Sequence, residues 1–95
     1  MSIRGLKTID FTLVGGKYKS PGVQIEKNGA AVQIKTSTPG TVTVERAVNG
    51  ADYTLVPDFE IAVNGLNEFN VVNAVAGQWI RIVSTVAPDG CNILT

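Results

Sequence analysis

The sequence predicts an all-β protein, and three observations carry the prediction. Apolar and polar residues alternate with a period of two along most of the chain, β-branched residues dominate the apolar positions, and Asn-Gly pairs punctuate the pattern at 28–29, 49–50 and 64–65. Period-two alternation places every second side chain on one face of a half-buried strand. Val, Ile and Thr are stiff at χ1 and pack well on a pleated surface. No stretch keeps the 3.6-residue period of an amphipathic helix.

The elements follow in chain order. Residues 1–21 include Gly5, Gly15 and Gly16 and lead into Ser20-Pro21-Gly22. They read as an extended basic N-terminal arm with one possible strand over residues 8–14. Residues 22–95 read as the folded domain. Val23 and Ile25, then Val32 and Ile34, alternate around Lys27-Asn28-Gly29-Ala30. Val42 and Val44 alternate with Thr41, Thr43 and Glu45 and lead to Asn49-Gly50. Tyr53 and Leu55 follow, Phe59, Ile61 and Val63 run up to Asn64-Gly65, and Phe69 and Val71 begin another strand. Trp79-Ile80-Arg81-Ile82-Val83 is the strongest strand pattern, and Ile93 closes the set. Asn and Gly tolerate the positive φ of tight turns, so each Asn-Gly is read as a hairpin turn. Pro39-Gly40 and Pro88-Asp89-Gly90 add two more turns. About eight strands, with turns roughly every 8–12 residues, predict an antiparallel β-sandwich, jelly-roll-like or Ig-like.

Composition bounds the function. With 44% hydrophobic and 17% charged residues, the 95-residue chain has the balance of one folded domain and a largely neutral surface. Arg4, Lys7, Lys17 and Lys19 against Asp10 leave the first twenty residues at +3. The remainder, with Lys27, Lys35, Arg46 and Arg81 against seven acids, stands at −3. A basic leading segment on a near-neutral body lacks the broad basic face of a nucleic-acid binder. It suits an arm laid on an acidic protein surface, and equally an ordinary solvated segment. The single Cys91 allows no intrachain disulfide, and no apolar run approaches the roughly 18 residues of a membrane helix. With no apolar leader at the start and no disulfide possible, the expectation is a protein made and kept in a reducing cytoplasm until it is assembled into something.

Catalytic parts are scarce. The chain has no histidine, which removes the commonest general base and the commonest metal ligand together. Asp52, Asp58, Glu60, Glu68 and Asp89 could serve as paired carboxylates or calcium ligands, but none forms a D-x-D-x-D loop and most flank turns, where carboxylates are simply solvated. Gly15-Gly16-Lys17 lacks the earlier glycine of a phosphate loop and has Tyr18 where Ser or Thr is needed. The expectation is therefore no enzyme, no cofactor and no metal.

Trp79 and Arg81 are the most informative side chains. On one strand they share a face with Val83, while Ile80 and Ile82 share the other. Both faces are thus partly apolar, as in a central strand covered on both sides or a strand with one face on a partner. Trp and Arg are typical interface anchors; a core Trp beside a satisfied Arg is the other reading. The candidate partner-binding residues are Arg4, Lys7, Lys17, Lys19, Trp79 and Arg81.

From Gly40 onward the order of features resembles a known group. Gly40-Thr-Val-Thr-Val-Glu-Arg, Asn49-Gly-Ala-Asp-Tyr-Thr-Leu-Val and Gly77-Gln-Trp-Ile-Arg-Ile-Val-Ser are similar to small β-sandwich modules of tailed-bacteriophage virion proteins. The likeness covers about half the chain, and Ala47-Val48-Asn49-Gly50 replaces the Ser-x-Asp-Gly turn common in such modules. Discoidin-like and carbohydrate-binding sandwiches share the pattern, so it speaks for fold before function. The resemblance implies a non-enzymatic virion protein. A capsid decoration or cement protein is the first expectation, docked on the major capsid protein or another virion protein and associating as a dimer or trimer. A chain that opens on its own Met and runs to one domain's length fits such a free-standing part. The alternative is a carbohydrate-binding or adhesion module of a tail or head fibre, for which Tyr18, Tyr53 and Trp79 are the available aromatics. No nucleic acid and no membrane enter either expectation.

Overall fold

The computed structural model describes residues 6–95 and is all-β, with no helix. Eight strands follow in order: β1 (Leu6–Thr8), β2 (Thr12–Val14), β3 (Lys17–Lys19), β4 (Val23–Gln24), β5 (Ala30–Ala47), β6 (Thr54–Val71), β7 (Trp79–Ser84) and β8 (Pro88–Leu94). Every pairing is antiparallel, and all belong to one sheet curled into a half-barrel.

The β5–β6 hairpin organises the sheet. Each strand has 18 residues and would span about 60 Å if straight, at about 3.3 Å per residue. The longest extent of the molecule is 35 Å. Both strands must therefore bend, and the register shows where. Thr36 faces Gly65 and Gly40 faces Val63, so Ser37, Thr38 and Pro39 oppose Asn64 alone. At that bulge β5 exchanges neighbours: Ala31–Thr36 pair with β8, and Val42–Ala47 pair with β7. A second irregularity lies between Thr43 and Glu45, whose partners are Glu60 and Leu55. The chain there passes through Pro57 and through Asp58, the one described non-glycine residue with positive φ (58°). Phe59 and Phe69, ten positions apart on β6, stand with ring centroids 5.6 Å apart. Extended chain would separate them by about 33 Å, so β6 doubles back.

This corrects two turns expected from the sequence. Pro39-Gly40 and Asn64-Gly65 are bulges inside β5 and β6, so strands expected separately around 32–34 and 42–44 are one, as are those around 53–55, 59–63 and 69–71. Gly65 does have the positive φ (71°) that was read as a turn, but a bulge needs it just as a turn does. Pro88-Asp89-Gly90 likewise opens β8 instead of preceding it. Asn49-Gly50 does sit in the β5–β6 connection, where Asn49 Oδ1 accepts from the amides of Ala51 and Asp52, 2.9 Å each. Asn28-Gly29 links β4 to β5, which do not pair with each other.

The segment expected to hold one strand holds three among its described residues. β1 adds to the edge of β8, with Leu6 opposite Leu94. β2 and β3 form a hairpin through Gly15-Gly16, both at positive φ (58° and 81°) as a two-residue type I′ turn requires. β3 and β4 then run in succession along β7. Ser20 bridges them, its amide donating to the Ile82 carbonyl at 2.9 Å and its Oγ accepting from the Ile82 amide at 2.8 Å.

The inner face of the curl is the core. Val32, Ile34, Val42, Val44, Val56, Val71, Ile80, Ile82 and Ile93 are fully buried, with Phe11, Phe59 and Ile61 packed on the cluster. Burying each such side chain stabilises the fold by about 1.5–3 kcal/mol. The alternation of the sequence is thus the alternation of inner and outer faces.

Candidate functional site

The outer face of β7 and its neighbours gathers most of the residues singled out by sequence. Ile80 and Ile82 point inward and Trp79, Arg81 and Val83 outward. Antiparallel register puts Ala47 opposite Trp79, Glu45 opposite Arg81 and Thr43 opposite Val83 on β5. On the other side of β7, Gln24 lies opposite Trp79 and Lys19 opposite Val83. Directly opposed residues share a face, so these side chains form one surface.

Arg81 is held from two directions. Its Nε donates to Glu45 Oε1, with both side chains mostly covered (27% and 20% exposed). Its guanidinium also lies over the Tyr53 ring, 4.3 Å from the centroid. A cation over an aromatic face contributes about 0.5–1 kcal/mol. Tyr53 in turn reaches across Gly22, where a Cβ would run into its hydroxyl. Trp79 lies against Gly50, whose missing Cβ would stand 3.1 Å from the indole. Two glycines, one from each flank, thus make room for two rings, and the Tyr53 ring and the Glu45 carboxylate fix the guanidinium. Arg81 is satisfied within its own chain, and Trp79 is half-buried beside it.

Trp79 also lines a cleft of about 500 Å³ with Lys7, Ile9, Pro21, Gln24 and Glu26 among its walls. Lys7 enters from β1; its ammonium lies 3.8 Å from Glu26 and donates to Thr95 Oγ1 at 3.4 Å. The fold therefore brings Lys7, from the segment expected as an arm, to Trp79 on β7. Lys17 and Lys19 stand on the same outer face at the far end, where Lys17 rims a shallow trough floored by Val83. Arg4 lies outside the described residues.

Sequence reading missed Glu45 as the partner of Arg81, because only the β5–β7 register joins residues 36 positions apart. It also left out Tyr53 as the Arg81 platform. The aromatic-Thr pair after Asn49-Gly50 was the available signal. The acids weighed as catalytic or calcium-binding do not converge: among the described residues no three metal-ligating side chains cluster. Asp52 instead accepts from Asn49 Nδ2 at 2.7 Å and steadies the hairpin loop. Cys91 faces the core from β8, and burial raises its thiol pKa from 9.0 to about 11.

The fold and this face define a helix-free, single-sheet β protein with a pre-ordered aromatic and charged outer surface. Comparison with protein-family models, with curated proteins and with solved structures finds no match.

Proposed function

We propose that the chain is a non-enzymatic structural protein of a phage virion, a capsid decoration or cement protein that docks on the major capsid protein or another virion protein. The observation that carries this reading is the Trp79–Arg81–Tyr53 surface together with the Lys7 cleft. Rigid Trp, Tyr and Arg side chains are the residues that dominate protein interfaces, since they present large area with little freedom left to lose. With Arg81 already ordered by Glu45 and Tyr53, docking immobilises little. The histidine-free sequence supports a passive role. In the same reading the two halves of the curled sheet, joined through the bent hairpin, correspond to the facing sheets of a jelly-roll-like or Ig-like sandwich. The virion is the site of action and the host cytoplasm the site of synthesis.

The test is co-sedimentation of the purified chain with heads assembled from the capsid protein of the same phage. Trp79→Ala and Lys7→Glu should each weaken binding at least tenfold while the β-sheet circular dichroism is kept. Retained binding by both variants sinks the face as the docking surface. The glycan-binding alternative draws on the same cleft, where Gln24 and Glu26 offer polar groups beside Trp79. Arg81 already occupies a face of Tyr53 that a sugar would stack on, which favours the protein partner. Binding to a glycan array that is lost in Trp79→Ala would reverse that preference.

A further inference from the structure

Two of the open strand edges of the curled sheet, those of β6 and β2, differ in charge. The outer edge of β6 pairs with nothing among the described residues, since β6 bonds only to β5. All its charges are acidic (Asp58, Glu60 and Glu68), and all three are exposed. At the opposite end, β2 pairs only with β3. The hairpin they form carries Lys17 and Lys19 and no acid. None of these five charges forms an ion pair within the described chain, where the recorded bridges are Lys7–Glu26 and Arg81–Glu45.

We propose that this edge hairpin is a self-association device: β2 of one copy adds as a strand to the edge of β6 in the next, along residues 59–64. An exposed strand edge is a ready template for another strand. Within that stretch residues 60–63 keep an unbroken register with β5, between the irregularities at Pro57-Asp58 and at Asn64-Gly65.

Both faces match across the joint. Thr12 and Val14 lie opposite Lys19 and Lys17 and share their outer face. Glu60 lies opposite Thr43 on the outer face of β6. Continuing the sheet brings Lys17 and Lys19 within one strand of Glu60 of the neighbouring copy, a gap that long side chains span. Leu13 and Tyr18 are opposed on the inner face. Leu13 is 58% exposed because the sheet ends there. The joint lays it on the half-buried Phe59 and Ile61 of the next copy. Charge decides against the symmetric alternative, because β6 against β6 sets acids against acids. Unlike edges meeting head to tail make a heterologous interface, which closes into a ring where the rotation between copies allows it and otherwise grows as a filament. This deepens the expectation that copies associate, and it does not rest on what the assembly docks to.

Light scattering on the purified full chain at low salt is the test. Wild type should give assemblies well above the monomer mass of 10.0 kDa. Lys17→Glu/Lys19→Glu and Glu60→Lys should each run as monomers, since each sets like charges against one another at the joint. Mixed in equal amounts, the two variants should assemble again, because each then offers the edge the other lacks. Leu13→Asp, at an exposed position, should also dissociate the oligomer with the fold kept by circular dichroism. A monomeric wild type at high concentration overturns the proposal. So does a two-fold dimer, or variants that assemble as wild type does. A chain that binds virions yet stays monomeric would overturn this proposal alone and leave the docking reading standing.

Discussion

Gly50 shows how one absent side chain sets the geometry of the outer face. Its φ of 73° lies where an L residue is strained, and a Cβ there would press on the Trp79 indole at 3.1 Å. Gly50→Ala should therefore cost about 1–2 kcal/mol in urea unfolding and shift Trp79 fluorescence in the folded state. Thr36 offers the opposite case. Its hydroxyl is buried at the bend of β5 with no hydrogen-bond partner among the described residues. Thr36→Val removes an orphaned polar group without changing the shape, and it should raise stability by about 1 kcal/mol on thermal unfolding. Cys91 supplies a pH signature. Burial lifts its folded pKa to about 11 from the ordinary 9.0, so the folded chain holds the proton that the unfolded chain releases. The stability this gives is complete below pH 9 and is lost as pH rises from 9 to 11. Native Cys91 should accordingly resist thiol reagents at pH 8 and react fully in denaturant; rapid native labelling would refute the burial. At this scale the sequence showed which residues were unusual, such as Trp79 and Arg81. It did not show what they touch, because Glu45 and Tyr53 reach Arg81 only through sheet register and loop path.

The long hairpin is where local signals and the fold diverge. Asn-Gly marks positive φ, and positive φ serves a turn and a bulge equally. What separates them is the partner of the flanking strand. At Asn49-Gly50 the strands on each side pair with each other; at Asn64-Gly65 both sides continue along β5. No window of sequence contains that choice, so strand type and inner-face residues were legible while strand length was not. The bulge at Asp58 can be tested by itself. An Asp at φ 58° costs less than most side chains there but more than glycine. Asp58→Gly should be neutral or stabilising by up to about 1 kcal/mol, and Asp58→Val destabilising by about 1–2 kcal/mol, both read by urea unfolding. Equal stability of the two variants would show that the bulge relaxes.

Across the whole molecule, one cluster on the inner face of the curl holds both halves of the bent hairpin together. Ile34 is fully buried there in the half of β5 that pairs with β8. Ile34→Ala should cost about 2–5 kcal/mol and unfold both halves in one transition. Two transitions, seen by Trp79 fluorescence and by circular dichroism, would mean that the halves are separate units. The candidate site was legible only as a set of residue types. Lys7 and Trp79 are 72 positions apart, and they line one cleft because β1 closes on β8 and β4 runs along β7. That closure has a consequence for how the protein is made. Among the described strands β1 leaves the ribosome first, yet its partner, Asn92–Leu94, is synthesised last. At about 5–20 residues per second, the strand waits roughly 4–17 s for its place in the sheet. Throughout that interval the edge of Leu6–Thr8 is open to chaperones and to other nascent chains. Synthesis of residues 92–94, not the speed of local strand pairing, then sets the earliest time at which β1 can pair.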